Sequence, residues 1–87
     1  MHEQRVMRDL VSELERIATR EQASRITRVN VELGALSHFT PEHFREHFED
    51  ASRGTVAEGA LVVATVVDDA RDAHASDVVV ESVEVEV

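Results

Sequence analysis

The first twenty residues place apolar side chains at helical spacing, with charged residues at many of the positions between them. An amphipathic pattern of this kind predicts a helix over residues 4–20 that packs one face against a core. Its apolar face consists of Val6, Met7, Leu10, Val11, Leu14, Ile17 and Ala18.

After a polar stretch at 21–24 the apolar spacing changes to every second residue. The alternation from Arg28 to Leu33 predicts a half-buried strand, and Gly34 ends it. Thr40 and Pro41 then form a helix start, with Thr as the N-cap and Pro at the first helical position. The second helix is predicted to stop before Gly54, and its apolar stripe consists of Phe44, Phe48 and Ala51.

The remaining chain predicts two more strands joined by a loop. Residues 60–67 are apolar on both faces, which favours a place in the middle of the sheet. Residues 68–77 are small and polar and predict a flexible loop, whose length favours an antiparallel return of the last strand at 78–87. Glu81 interrupts the alternation there, which indicates a bulge or a frayed start.

The predicted order is αβαββ, with two helices packed on one face of a three-stranded mixed sheet. This is an α+β fold, and 87 residues are enough for one domain, 1–87, with one modest core. The long apolar run of a membrane span and a signal peptide are both missing, which predicts a cytoplasmic protein without a membrane partner.

Composition and net charge limit the partners and the chemistry that the chain can have. A formal charge of −9 argues against nucleic acid and anionic lipid as partners, and it suits a metal cation or a basic protein surface. Cysteine is absent, which excludes disulfides and thiolate zinc sites. Three glycines do not build the usual phosphate loop, and together with the scattered carboxylates they predict a protein that is not an enzyme.

The N-terminal residues Met1, His2 and Glu3 are the strongest candidate for metal chemistry. The Met1 amine, the His2 backbone nitrogen and the His2 imidazole can close adjacent chelate rings, and Glu3 offers a further ligand. Such rings hold nitrogens in one plane, a geometry that favours nickel(II) or copper(II) over tetrahedral zinc. The alternative is that His2 is only an exposed residue at a frayed end.

Other histidines are weaker candidates. His38 precedes the second helix, and its loop could approach the N-terminus as the source of an auxiliary ligand. His43 and His47 are one helical turn apart and could reach one ion, although such spacing is also common on a solvated helix face. In the alternative reading they only border the core. His74, in the predicted loop, is interpreted as incidental.

Several segments together resemble the HypA family over nearly the whole chain. The similar segments are Met1-His2-Glu3, residues 25–37, residues 52–55 followed by 58–60, and residues 78–85. Each motif is weak alone, but their common order is quite specific.

The resemblance implies a nickel metallochaperone that serves maturation of NiFe hydrogenase and, in some bacteria, of urease. It implies a HypB-type GTPase as partner, and the hydrogenase large subunit or another nickel enzyme as recipient. In the resembled family, nickel is bound by the terminal amine and by the His and Glu that follow the first Met. These ligands correspond to Met1, His2 and Glu3 in this chain.

The chain departs from the resembled family in two places. The family inserts a zinc domain with two Cys-x-x-Cys pairs between its last two strands, where this chain has only residues 68–77 and no cysteine. We therefore expect no zinc. In the family an acidic residue close to the nickel often precedes the second helix. This chain has Thr40 at that position, and His38 or Glu42 could substitute for the acidic residue. The alternative function is a zinc-free interaction adaptor without significant metal transfer.

Overall fold

The computed structural model describes residues 2–87, with side chains described from residue 3 onward. Its elements follow the order αβαββ. They are α1 (His2–Arg20), β1 (Arg25–Gly34), α2 (Pro41–Ser52), β2 (Leu61–Val67) and β3 (Val78–Glu86). The α+β class and the order of elements are as predicted.

The apolar face of α1 packs into the core. Met7, Leu10, Leu14 and Ala18 are buried together with strand residues, which confirms the amphipathic reading. The helix begins two residues before the predicted start and ends where predicted, at Arg20. Alongside it, α2 contributes the two largest fully buried side chains, Phe44 and Phe48.

The strands form one sheet in the order β2-β1-β3. β1 runs parallel to β2 and antiparallel to β3, so the sheet is mixed and the last strand returns antiparallel as predicted. The prediction that residues 60–67 lie in the middle of the sheet is wrong: β2 is an edge strand. Apolar character on both faces does not lead to burial of both faces here, because Leu61 is 58% exposed and Val66 is 45% exposed.

The central strand β1 is longer than the pattern predicted, because it begins at Arg25. A register shift between Ile26 and Arg28 leaves Thr27 outside the ladder with β3, which interrupts the alternation in the sequence. Beyond the shift, buried side chains alternate along the strand toward the helices. The buried apolar residues of β1 are Ile26, Val29, Val31 and Leu33.

The predicted irregularity at Glu81 is a β-bulge. Asn30 faces Ser82 while the next residue, Val31, faces Val80, so Glu81 has no Cα partner across the ladder. The valines on either side of the bulge therefore both face the core, although their spacing in the sequence is three rather than two.

The segment 68–77 is a chain of turns rather than the flexible loop expected from its composition. The Asp72 N–H donates to the Asp69 carbonyl, the Ala75 N–H to the Asp72 carbonyl and the Asp77 N–H to the His74 carbonyl, at 2.9 to 3.1 Å. Ala75 is buried, and its carbonyl accepts a hydrogen bond from the Leu36 N–H at 2.7 Å. These turns dock the segment against the end of β1.

Candidate metal centre

The predicted N-terminal chelate lies largely outside the described residues. Met1 and the side chain of His2 are not among them, so the structure gives no geometry for the terminal amine or the imidazole. Glu3 is described, and it lies in the first turn of α1 with a half-buried side chain. Of the three predicted ligands at the N-terminus, Glu3 is the one whose side chain the structure describes, and it lies at the start of α1.

The Glu3 carboxyl has a lowered pKa. A hydrogen bond from its own backbone is the largest cause, followed by the positive charge of the chain terminus, and the His47 charge contributes further. Partial burial acts in the opposite direction, and its effect is larger than that of His47. These interactions favour the carboxylate form, which is the form that binds a cation. His47 of α2 lines a cleft together with Gln4 and Met7 of α1.

The start of α2 is fixed by its cap. The His43 backbone N–H donates to Thr40 Oγ1 at 3.1 Å, and Pro41 occupies the first turn, as the sequence predicted. The Thr40 hydroxyl therefore caps the N-terminal end of α2. Glu42, the other proposed substitute for the family's acidic ligand, lies 4.0 Å from the Arg45 guanidinium, and its side chain is largely exposed.

His38 lies in the connection between β1 and α2. Its backbone has a left-handed φ of 69°, and its side chain is exposed between the buried residues Ser37 and Phe39. The ring that reaches α2 from this connection is the one of Phe39, 6.0 Å from the His43 ring and 6.4 Å from the His47 ring. The role of His38 as an auxiliary ligand stays a prediction.

His43 and His47 point at each other on the outer surface of α2. Their Nε2 atoms are 2.9 Å apart, and their ring centroids are 4.5 Å apart. The spacing of one helical turn was visible in the sequence. The convergence of the two Nε2 atoms, their contact with Phe39 and the position of His47 beside Gln4 and Met7 of α1 depend on tertiary packing.

Larger ligand clusters are missing from the described side chains, residues 3–87. No group of three or more His, Asp or Glu residues converges there on a position that a metal ion could occupy. Over residues 2–87, none of the helices has the length and apolar character that crossing a membrane requires.

A groove with a volume of about 790 Å³ lies between α1 and the start of β3. Arg5, Asp9 and Glu13 line it from α1, and His74 and Asp77 from the turn segment. The His74 Nδ1 lies 3.1 Å from a carboxylate oxygen of Asp77, so this histidine is engaged within its own segment.

Comparison with known families identifies the class of protein. A family model described as "Hydrogenase/urease nickel incorporation, metallochaperone, hypA" matches residues 1–72. The chain belongs to the HypA family.

Curated relatives agree with this assignment. The hydrogenase maturation factor HypA of Methylocella silvestris is 38% identical over 60 residues, which cover 69% of this chain and 53% of the relative. The hydrogenase maturation factor HypA of Archaeoglobus fulgidus is 36% identical over 66 residues, which cover 76% of this chain and 60% of the relative. The chain thus spans about half the length of the curated relatives it matches.

A solved structure shares the fold. The solution structure of the Ni metallochaperone HypA from Helicobacter pylori superposes with a TM-score of 0.79, covering 99% of this chain and 98% of that chain. The sequence identity is 21%, so this likeness establishes the architecture.

Proposed function

We propose that the chain is a nickel metallochaperone that binds nickel(II) through the Met1 amine, His2 and Glu3 and delivers it during maturation of NiFe hydrogenase. The observation that carries the proposal is the match of residues 1–72 to the family of nickel-incorporating metallochaperones. The lowered pKa of Glu3 supports it, since an ionised carboxylate in the first turn of α1 attracts a cation.

The proposal includes the partners implied by the sequence. The chain docks on a HypB-type GTPase in the cytoplasm and passes nickel to the hydrogenase large subunit or another nickel enzyme. It acts as a carrier and not as a catalyst. A terminal site with few protein ligands suits this role, because a carrier must release its ion to the recipient, and an open coordination shell allows that exchange.

We also propose that residues 1–87 act as one nickel-binding unit without zinc, with the turn segment 68–77 in the position of the family's zinc insertion. The chain has no cysteine to supply a thiolate ligand. Elemental analysis of the purified chain should therefore give nickel uptake without stoichiometric zinc, and one tightly held zinc per chain would contradict this part of the proposal.

Nickel titration of the untagged protein with its native N-terminus tests the terminal site. We expect one tight nickel site per chain, and His2→Ala should weaken it by at least about tenfold because the chelate loses its imidazole. An N-terminal extension should be nearly as harmful, since it converts the Met1 amine to an amide.

His74→Ala is the matched control and should leave the tight site unchanged, because His74 pairs with Asp77 within the turn segment. Equal nickel affinity of the extended and native proteins would rule out the terminal site. Absence of nickel binding by the native protein would favour the alternative, an interaction adaptor without metal transfer.

A further inference from the structure

His43 and His47 have the geometry of a chelating pair. They occupy successive turns of α2, and their Nε2 atoms, the nitrogens farthest from the backbone, are 2.9 Å apart. This distance is that of a hydrogen bond, in which one imidazole donates Nε2–H and the other accepts. Both rings therefore direct the same nitrogen at one small region outside the helix.

The separation of the two nitrogens matches a specific coordination geometry. Imidazole nitrogens bind divalent metals at about 2.0–2.1 Å, so two of them at a right angle around one ion lie about 2.9 Å apart. Right angles between neighbouring ligands occur in square-planar and octahedral shells, which nickel(II) and copper(II) adopt. The tetrahedral angle preferred by zinc would require about 3.3 Å.

Contact with the Phe39 ring restricts the positions that the His43 and His47 rings can take. Phe39, which is 7% exposed, lies within 6.0 Å of the His43 ring and 6.4 Å of the His47 ring, measured between centroids. Phe39 also packs edge-on with Phe44, which anchors it to the core. Side chains that are ordered before the ligand arrives lose less conformational entropy on binding.

The electrostatic environment also suits a cation. Glu15 and Asp50 line the same cleft as His47, together with Arg8. The whole chain carries a formal charge of −9, which raises the local concentration of divalent cations around it.

We propose that His43 and His47 form a second metal site, a bidentate dyad for nickel(II) that is separate from the N-terminal chelate. Both Nε2 atoms bind the ion as neutral imidazoles. The ring that donated Nε2–H moves that proton to Nδ1 through solvent, so charge and protons balance. Water fills the remaining positions, because only two protein ligands converge here. The resulting site is open and exchanges its ion readily.

The test removes the N-terminal chelate first. A variant with His2→Ala and a short N-terminal extension is titrated with nickel(II) alone, and we expect one weaker site per chain to remain. Adding His43→Gln or His47→Gln to this background should each reduce the residual affinity by at least roughly tenfold, because either change leaves a single imidazole. Glutamine keeps side-chain size and helix propensity, so α2 is retained.

His74→Gln in the same background is the matched control and should leave the residual affinity unchanged. Amide NMR spectra should also show nickel-dependent changes centred on α2. Absence of residual binding in the extended His2→Ala variant, or residual binding that survives both glutamine changes, overturns the dyad.

The two proposals fail separately. Loss of dyad-dependent binding leaves tight binding at the native N-terminus intact. Conversely, a native protein whose nickel binding depends on His43 and His47 but is insensitive to His2→Ala and to the extension would overturn the terminal site and support the dyad.

Discussion

Glu32 and Glu81 meet across β1 and β3, next to the bulge. The pKa of Glu32 is raised, first by a side-chain hydrogen bond with Glu81, then by burial and by the negative charges of Glu81 and Asp72. A shared hydrogen bond requires one of the two carboxyls to hold a proton. The two carboxyls thus share a hydrogen bond at acid pH and repel each other once both are ionised.

This pair predicts a pH-dependent gain in stability for Glu81→Gln. Because the folded-state pKa of Glu32 is raised, its contribution to stability is present at low pH and is lost as the pH rises through the raised value. The amide that replaces the Glu81 carboxyl can donate to the Glu32 carboxylate without repulsion. The variant should therefore melt at a higher temperature than the parent at pH 7, and the difference should vanish near about pH 4.

Glu84→Gln serves as the control, because Glu84 lies 4.0 Å from the Arg28 guanidinium and has an opposite charge beside it. This variant should show no gain at pH 7. A stabilisation by Glu81→Gln that is equally large at both pH values would mean that repulsion with Glu32 is not its cause.

At the scale of elements, the docking of the turn segment 68–77 depends on Gly34. The Gly34 N–H donates to the Asp77 carbonyl at 2.9 Å, and a Cβ at this position would lie 2.1 Å from the Ala75 carbonyl oxygen. The contact is with backbone, which cannot rotate away as a side chain could. Gly34 is required here by close approach of two chain segments.

Gly34→Ala should destabilise the protein by about 1–3 kcal/mol, because the turn segment must move away from the end of β1. Urea denaturation measures this loss. Ala73→Ser, an exposed change in the same segment, should stay within about 0.5 kcal/mol of the parent. Equal stability of Gly34→Ala and the parent would show that the segment is not docked as described.

At the scale of the whole molecule, the sheet and α1 both carry exposed charges of both signs. The outer face of the sheet pairs Arg25 with Glu86 at 3.1 Å and Arg28 with Glu84 at 4.0 Å, so part of its negative charge is compensated. On α1, Arg5 and Arg8 are exposed near the helix start. Since the proposed nickel site lies at the same end of α1, this helix is the surface we expect the GTPase to contact.

Reversing Arg5 and Arg8 to Glu should slow or abolish binding of the HypB-type GTPase while nickel affinity stays nearly unchanged. Charges at an interface rim mainly control the association rate and specificity. Binding kinetics at two salt concentrations, with nickel titrations of the same variants, measure both effects. Reversing Glu84 and Glu86 to Lys is the comparison and should change neither. Loss of binding only in that second variant would move the docking surface to the sheet.

The sequence by itself determined the elements of this protein. Helical and alternating periodicities are local properties, and they predicted two helices, three strands and their order. Capping by Thr40 and the bulge at Glu81 were also readable, because each depends on a few neighbouring residues. The proposed terminal chelate is local in the same sense, and it remains a prediction because Met1 and the His2 side chain lie outside the described residues.

Tertiary structure decided the properties that depend on distant contacts. The apolar character of β2 indicated the centre of the sheet, but strand order follows from which backbone edges pair, and β1 pairs on both sides. Similarly, docking of the turn segment requires the close approach at Gly34. The spacing of His43 and His47 was visible in the sequence. Their 2.9 Å convergence beside Phe39 and the start of α1 required the packing of α2 against its neighbours, because side-chain position is set by what surrounds it.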